Sequence, residues 1–175
     1  MNYTERLTHA VEIMQQVEQH HKQLFDMYNW CSIKSSNLVI DSGTVIEPSE
    51  LPCGTASFFW AWCARDPKFQ QQGVKLIADY TGVGAIPGYQ HAVDPVVACA
   101  RFFNISEKTA EWLTLPKCYA RYYALPAKDL KQITPNDVIK RLELLLAHST
   151  DWQDAMIWCP QITQEGDRIR WIKSS

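Results

Sequence analysis

The sequence predicts an α+β fold in which helices dominate, built as a single globular domain over residues 1–175 with one or two small β-hairpins. Apolar residues recur three and four positions apart in several stretches, which is the spacing of a helix face. Two shorter stretches instead alternate apolar and polar residues around a glycine, a pattern typical of hairpins. Hydrophobic residues make up 46% of the chain and charged residues 21%, which indicates a globular protein rather than a disordered one.

The N-terminal segment predicts the first helix and the first hairpin. Thr4 is expected to cap a helix that runs to about Gln23, because apolar residues fall on one face of this segment. Residues 38–40 and 44–46 are expected to pair as strands around Asp41-Ser42-Gly43, where the glycine allows a turn with positive φ.

Four further helices are predicted from caps, prolines and apolar spacing. Asp94-Pro95 and Thr134-Pro135 each place a capping side chain before a first-turn proline, and Ser106 caps a short helix. The run that contains Phe58-Phe59-Trp60-Ala61-Trp62 is apolar on all sides and predicts a buried central helix, stopped by Asp66-Pro67. The predicted ranges are 55–64, 95–103, 107–113 and 135–148.

The remaining segments predict connections and a second hairpin. Residues 69–80 fit a helix or a strand equally well. The glycine-rich stretch 82–88 is expected to be a plain loop, because its spacing is not G-x-G-x-x-G and Pro87 lacks the backbone donor of a phosphate-binding loop. Residues 156–159 and 169–172 alternate around Gly166 and predict the second hairpin.

Charge and composition exclude several classes of partner. The net charge is −2 and the pI is about 6.2, so no positive field attracts nucleic acid or an anionic membrane. The sequence has no apolar run of the roughly 20 residues that span a bilayer and no export signal, which predicts a cytoplasmic protein. Six cysteines occur without a C-x-x-C pair, so we expect reduced thiols, no metal site and no cofactor.

Cys53 is the candidate nucleophile of an alternative, enzymatic interpretation. Cys53-Gly54-Thr55 places a thiol at or just before the predicted helix start, where the helix dipole lowers the pKa of a cysteine. His91 is then the candidate base and Asp94 the group that orients it, as in cysteine hydrolases or transferases. The competing interpretation, which we favour, makes Cys53 a structural thiol and Asp94 only the cap of the helix at Pro95.

Aromatic residues suggest a contact surface for a protein partner. Seven tryptophans are many for this length, and tryptophan is enriched both in cores and at interfaces. Each aromatic residue taken singly is expected in the core, but together they support partner binding. The candidate contact residues are Trp30, Trp60, Trp62, Tyr119, Tyr122 and Tyr123.

Residues 96–131 have the pattern of a helix-turn-helix, which offers nucleic-acid binding as a weaker alternative. Basic residues such as Arg121 and Lys128 are interleaved with tyrosines after the second helix. Glu107 and Glu111, however, lie on the helix that would enter the groove and would repel DNA. We therefore expect an ordinary αα-hairpin in the core, and no nucleic-acid partner.

Cys53-Gly54-Thr55 followed by Trp62 resembles the C-G-T-x-x-C-x-x-G-W box of small uncharacterised phage and bacterial proteins. The similarity covers roughly residues 1–150, and three further segments follow in the same order as in those proteins. These are Phe25-Asp26-Met27 with Trp30, Phe102-Phe103-Asn104-Ile105-Ser106 with Ala110, and Thr134-Pro135-x-Asp137-Val138 with Arg141.

Two positions depart from that box. Phe58 stands in place of its second cysteine and Ala61 in place of its glycine, so a function of a cysteine pair is not shared. Those proteins have no established activity, and the resemblance implies an architecture and a phage or mobile-element origin, without catalytic residues. The sequence as a whole favours a regulatory or inhibitory protein that binds another protein, and leaves the partner's identity and the oligomeric state open.

Overall fold

The computed structural model describes most of the chain, in the ranges 1–27, 31–32, 45–46, 56–77, 83–85, 94–119, 132–148, 158–162 and 169–173. The described helices are α1 (Tyr3–His20), α2 (Phe59–Ala64), α3 (Pro67–Gln70), α4 (Pro95–Phe103), α5 (Glu107–Thr114) and α6 (Pro135–His148). The described strands are β1 (Cys31–Ser32), β2 (Val45–Ile46), β3 (Ala56–Ser57), β4 (Lys75–Ile77), β5 (Val83–Ala85), β6 (Trp158–Ile162) and β7 (Ile169–Lys173). The predicted helix-dominated α+β class is confirmed.

The residue that caps helix α1 is Asn2, two positions before the predicted cap Thr4. The side chain of Asn2 accepts a hydrogen bond from the backbone N–H of Glu5, and the Glu5 carboxylate accepts one from the backbone N–H of Asn2. This reciprocal capping box satisfies two free donors of the helix start, so the prediction of Thr4 as the cap is wrong. The helix ends at His20 rather than Gln23, because residues 22–24 form a separate 3₁₀ turn.

Helix α2 begins later than predicted because its first residues are used by a strand. Ala56 and Ser57 form β3, which pairs antiparallel with β1. The Ser57 carbonyl also accepts a hydrogen bond from the backbone N–H of Asp26, at 3.1 Å. Phe58 then stands at the cap position, so the predicted helix start near Thr55 is wrong. The predicted stop is confirmed, since Asp66 caps the next helix through the backbone N–H of Phe69.

Strand β4 joins β2 and β5 in an antiparallel sheet of the order β2-β4-β5. The predicted strand at Val45–Ile46 is confirmed, but its partner among the described residues is β4, and the other predicted half of that hairpin lies outside them. Residues 69–80 contain the end of α3 and then β4, joined by Gly73 at φ 89°. The prediction of a plain loop over 82–88 is wrong for Val83–Ala85, which pairs with β4.

Helices α4, α5 and α6 and the C-terminal hairpin lie close to their predicted positions. Asn104 ends α4 in the left-handed conformation, with φ 56°, and Ser106 caps α5 through the backbone N–H of Thr109. The carboxylate of Asp137 accepts hydrogen bonds from the backbone N–H and hydroxyl of Thr134 at the start of α6. Strands β6 and β7 pair antiparallel, and the predicted second hairpin is confirmed.

An aromatic group forms the centre of the hydrophobic core. Its rings lie 4.8 to 6.2 Å apart between centroids, mostly edge to face, which is a favourable arrangement of aromatic quadrupoles. Each is at most 3% exposed, and full burial of such a side chain contributes about 1.5–3 kcal/mol. Helix α1 covers this core and packs against α6. The group consists of Phe59, Trp60, Phe69, Phe102 and Phe103.

The carboxyl end of α5 depends on a side chain from α6. The Trp112 carbonyl would normally accept a bond from the residue four positions on, but that residue is Pro116, which has no N–H. The guanidinium of Arg141 donates to this carbonyl and, at 2.8 Å, to the carbonyl of Cys118. It also lies 3.5 Å from the ring centroid of Tyr119, whose hydroxyl donates to the carbonyl of Leu113.

Candidate functional site

Three of the predicted contact aromatics lie among the described residues, and only one of them is partly exposed. Trp60 is 0% exposed and Tyr119 is 3% exposed, so both belong to the core and the prediction that they form a contact surface is wrong. Trp62 packs against the core but keeps part of its ring at the surface. Trp30 and the pair Tyr122 and Tyr123 lie outside the described residues.

The backbone around Trp62 explains why its ring is held in one place. Trp60 and Trp62 are two positions apart on α2, which turns their side chains to nearly opposite sides of the helix. Trp60 enters the aromatic core, while the indole Nε1–H of Trp62 donates to the Ser57 carbonyl at 3.0 Å. The strand residue that precedes the helix therefore anchors the indole.

The side chains of a histidine and an arginine contact the same indole. The His21 ring stacks on Trp62 with a centroid distance of 5.5 Å and an interplanar angle of 18°. The guanidinium carbon of Arg65 lies 4.6 Å from the ring centroid, and Arg65 Nη2 donates to Ser57 Oγ at 2.7 Å. We call Trp62, His21, Arg65 and Ser57 the Trp62 patch. It presents a fixed aromatic surface beside a guanidinium.

The catalytic hypothesis for Cys53 stays a prediction. Helix α2 begins at Phe59, six residues after Cys53, so Cys53 does not directly precede the first turn of this helix as the sequence predicts. Cys53 and its candidate base His91 lie outside the described residues. Asp94 is exposed, and its carboxylate accepts a bond from the backbone N–H of Val96 at 2.8 Å, so its role as a helix cap is confirmed.

The cysteines that the structure describes with their side chains are buried. Cys63, Cys99 and Cys118 are free thiols, each at most 8% exposed. Burial raises the pKa of Cys63 and Cys99, and the neighbouring Cys99 and Asp66 raise that of Cys63 further. A buried thiol with a raised pKa is a poor nucleophile, so these cysteines act as small apolar residues of the core.

Helices α4 and α5 form the predicted αα-hairpin. Trp112 and Leu113 on α5 are buried, and the exposed side of this helix carries Glu107, Lys108 and Glu111. Two carboxylates and one ammonium make that surface net negative, which does not favour contact with phosphates. The basic residues after Tyr119 lie outside the described residues.

A histidine between two carboxylates is a feature that the sequence analysis missed. His9 is 8% exposed; its Nδ1 lies 2.7 Å from Glu12 Oε2 and its Nε2 lies 3.0 Å from Asp66 Oδ1. The ring lines a shallow cavity of about 300 Å³ together with Glu5, Lys68 and other residues near the start of α1. Nδ1 is hydrogen-bonded to Glu12, whereas Nε2 is buried beside Asp66 without a hydrogen bond to it.

Groups of side chains able to hold a metal ion are absent from the described part of the chain. Among those same residues, no helix is long and apolar enough to cross a bilayer. Comparisons with protein-family models, with curated proteins and with solved structures find no match to this chain.

Proposed function

We propose that this chain is a regulatory or inhibitory protein that acts by binding another protein, and that the Trp62 patch contacts the partner. The observation that carries the proposal is that Trp62 is partly exposed and yet held by three contacts, from Ser57, His21 and Arg65. An ordered side chain loses little conformational entropy when a partner covers it, so its buried area is converted efficiently into affinity.

The chemistry of the patch defines the surface that fits it. Tryptophan and arginine are the residues that most often dominate the binding energy of protein interfaces. An apolar side chain of the partner would cover the indole of Trp62, and a carboxylate would pair with the guanidinium of Arg65. A nucleic acid is a poorer fit, because the chain carries a net charge of −2.

Binding of a purified partner tests the proposal. The immobilised protein is used to isolate a partner, and its affinity for the wild type and for Trp62→Ala is then measured by calorimetry. We expect Trp62→Ala to weaken binding about 30-fold, which corresponds to about 2 kcal/mol. Gln15→Ala, an exposed site on α1, is the matched control and should leave the affinity unchanged.

A second comparison tests the chemistry of the pair. Arg65→Glu should abolish binding, and reversing the charge of the contacting carboxylate in the partner should restore part of it. Equal affinities for the wild type, Trp62→Ala and Arg65→Glu would show that the partner binds elsewhere on the molecule. Turnover of a small substrate that depends on Cys53 would overturn the binding function itself.

The proposal includes a cytoplasmic location and an origin in a phage or another mobile element. The free thiols of Cys63, Cys99 and Cys118 support a reducing compartment. The box around Cys53 supports the origin, through its resemblance to small phage and bacterial proteins. Fractionation of cells that express the tagged chain tests the location; recovery in an oxidising compartment or the membrane fraction would contradict it.

A further inference from the structure

The described methionines differ in their access to solvent. Met1 is 42% exposed, whereas Met14 is 0% exposed and Met27 is 5% exposed, and both of these belong to the core. Met1 also lines the shallow cavity near the start of α1, together with Lys68 and other residues. A reagent dissolved in water therefore reaches the side chain of Met1 much more easily than the two buried side chains.

A side-chain amide donates a hydrogen bond to the sulfur of Met1. Gln72 Nε2 lies 2.8 Å from Met1 Sδ. The same nitrogen donates to the backbone carbonyl of Lys68 at 3.2 Å, so both of its N–H groups have partners. A thioether sulfur is a weak acceptor, and the bond to Met1 is therefore weaker than a bond to an oxygen in the same place would be.

Arg6 determines which end of the Gln72 amide faces Met1. Arg6 Nε donates to Gln72 Oε1 at 2.9 Å, and because a guanidinium has donors only, the oxygen of the amide must lie on the arginine side. The guanidinium is itself held by Phe102, since its Nη1 donates to the Phe102 carbonyl and its carbon lies 4.5 Å from the ring centroid. The NH₂ end of Gln72 is therefore directed to the sulfur of Met1.

We propose that Met1 is an oxidation site for hydroperoxides, and that Gln72 binds the sulfoxide that forms. With hydrogen peroxide, the sulfur attacks one peroxide oxygen, so that an S–O bond forms and the O–O bond breaks. The proton on the transferred oxygen moves to the departing oxygen, which leaves as water; the sulfur loses two electrons and the peroxide gains them. The sulfoxide oxygen is a stronger acceptor than the thioether, and Gln72 Nε2 is the donor placed to bind it.

This modification is of a reversible kind, because sulfoxide reductases return methionine sulfoxide to methionine. It converts an apolar side chain at the start of α1 into a polar one without disturbing the core, since Met1 is largely at the surface. No residue of the Trp62 patch takes part, so the oxidation site does not rest on the proposed function.

Peptide mass spectrometry after brief treatment of the folded chain with dilute hydrogen peroxide tests the site. We expect Met1 to gain an oxygen atom about tenfold faster than Met14 and Met27. In urea, where the chain is unfolded, the three rates should become similar. Equal rates in the folded chain, or faster oxidation of Met14 or Met27, would overturn the proposal.

Gln72→Glu tests how the sulfoxide is bound. Glutamate still accepts from Arg6, but it presents only acceptors to Met1 and cannot donate to the sulfoxide oxygen. We expect oxidation to change the folded-to-unfolded ratio, measured by urea unfolding, at least about threefold more favourably in the wild type than in Gln72→Glu. Gln71→Glu adds the same charge at the exposed neighbouring position and should behave like the wild type. An equal change in the wild type and Gln72→Glu would overturn the proposal.

Spectra of the wild type decide the question if Gln72→Glu does not fold. In nitrogen–proton correlation spectra, the side-chain amide signals of Gln72 should move when the chain is oxidised, because their acceptor changes from sulfur to oxygen. The side-chain amide signals of Gln71 should stay in place. Gln72 signals that do not move on complete oxidation of Met1 would overturn the proposal.

Discussion

Replacing Arg141 by methionine should destabilise the fold without changing its architecture. Methionine retains the apolar stem of the side chain but removes the donors to the carbonyls of Trp112 and Cys118. Each buried carbonyl left without a donor costs about 1–3 kcal/mol, and the two cation–π contacts, with Trp112 and Tyr119, contribute about 0.5–2 kcal/mol each. Part of this loss is offset because no guanidinium must then be transferred from water into the core. The net expectation is a loss of about 3 kcal/mol.

Urea unfolding followed by circular dichroism measures this loss directly. Lys140→Met is the matched control, because Lys140 is the exposed neighbour on α6 and its substitution should change stability by less than about 0.5 kcal/mol. Arg141→Lys should fall between the two, since an ammonium lacks the planar fork that reaches both carbonyls. A loss below about 1 kcal/mol for Arg141→Met, or an equal loss for Lys140→Met, would refute the reasoning.

Two further predictions concern pH and a helix cap. Burial raises the pKa of Cys63, Cys99 and Tyr119 in the folded chain, so the unfolded chain loses these protons first. The contribution of these groups to stability should therefore be fully present below about pH 9, and above it the free energy of unfolding should fall by about 1.4 kcal/mol per pH unit for each titrating group. Urea unfolding between about pH 8 and pH 10.5 measures this dependence, and Cys99→Ala should make it less steep. A free energy of unfolding that does not change over this pH range would contradict the raised pKa values. Asp94→Ala should cost about 1 kcal/mol of stability in the same assay, whereas Asp94→Ser should be nearly neutral because serine also caps α4; equal losses would contradict the capping role.

The elements predicted best are those whose ends are encoded by neighbouring residues. Asp94-Pro95 and Thr134-Pro135 each combine a capping side chain with a proline that fits the first turn, and α4 and α6 begin as predicted. The sequence does not distinguish Asn2 from Thr4 as the cap of α1, because both residue types are good caps. The hydrogen bond from the backbone N–H of Glu5 to the side chain of Asn2 identifies Asn2 as the cap. Local signals of this kind act over three or four residues and are visible in one sequence.

The elements predicted worst depend on residues far away in the chain. Ala56–Ser57 is extended because β1 pairs with it, and Val83–Ala85 is extended because β4 does. In a helix that is apolar on every side, the sequence pattern does not indicate which side faces the core. The sequence therefore does not predict that Trp60 is buried while Trp62 reaches the surface. Such distinctions arise from tertiary packing rather than from local preference.

The residues of the candidate site likewise divide into one that the sequence indicates and others that depend on distant parts of the chain. The Trp62 patch contains one residue that the sequence analysis predicts, but the side chains that contact its ring, His21 and Arg65, are ordinary surface types and give no signal in the sequence. His9 and Asp66 are far apart in the sequence, and no motif connects them. The single available hint was the spacing of His9 and Glu12 by one helical turn, which is common on exposed helices.

The hydrogen bonds that Arg141 donates at the carboxyl end of α5 affect the order in which the chain can complete its fold. Pro116 supplies no N–H to the Trp112 carbonyl, and the bond that Arg141 donates to this carbonyl forms when α6 docks. During synthesis from the N-terminus, α5 leaves the ribosome well before Arg141 does, so the end of this helix lacks the bond from Arg141 in that interval. The contacts at the end of α5 are thus completed by a residue that is synthesised later, and a chain released before Arg141 would lack the bonds to the carbonyls of Trp112 and Cys118.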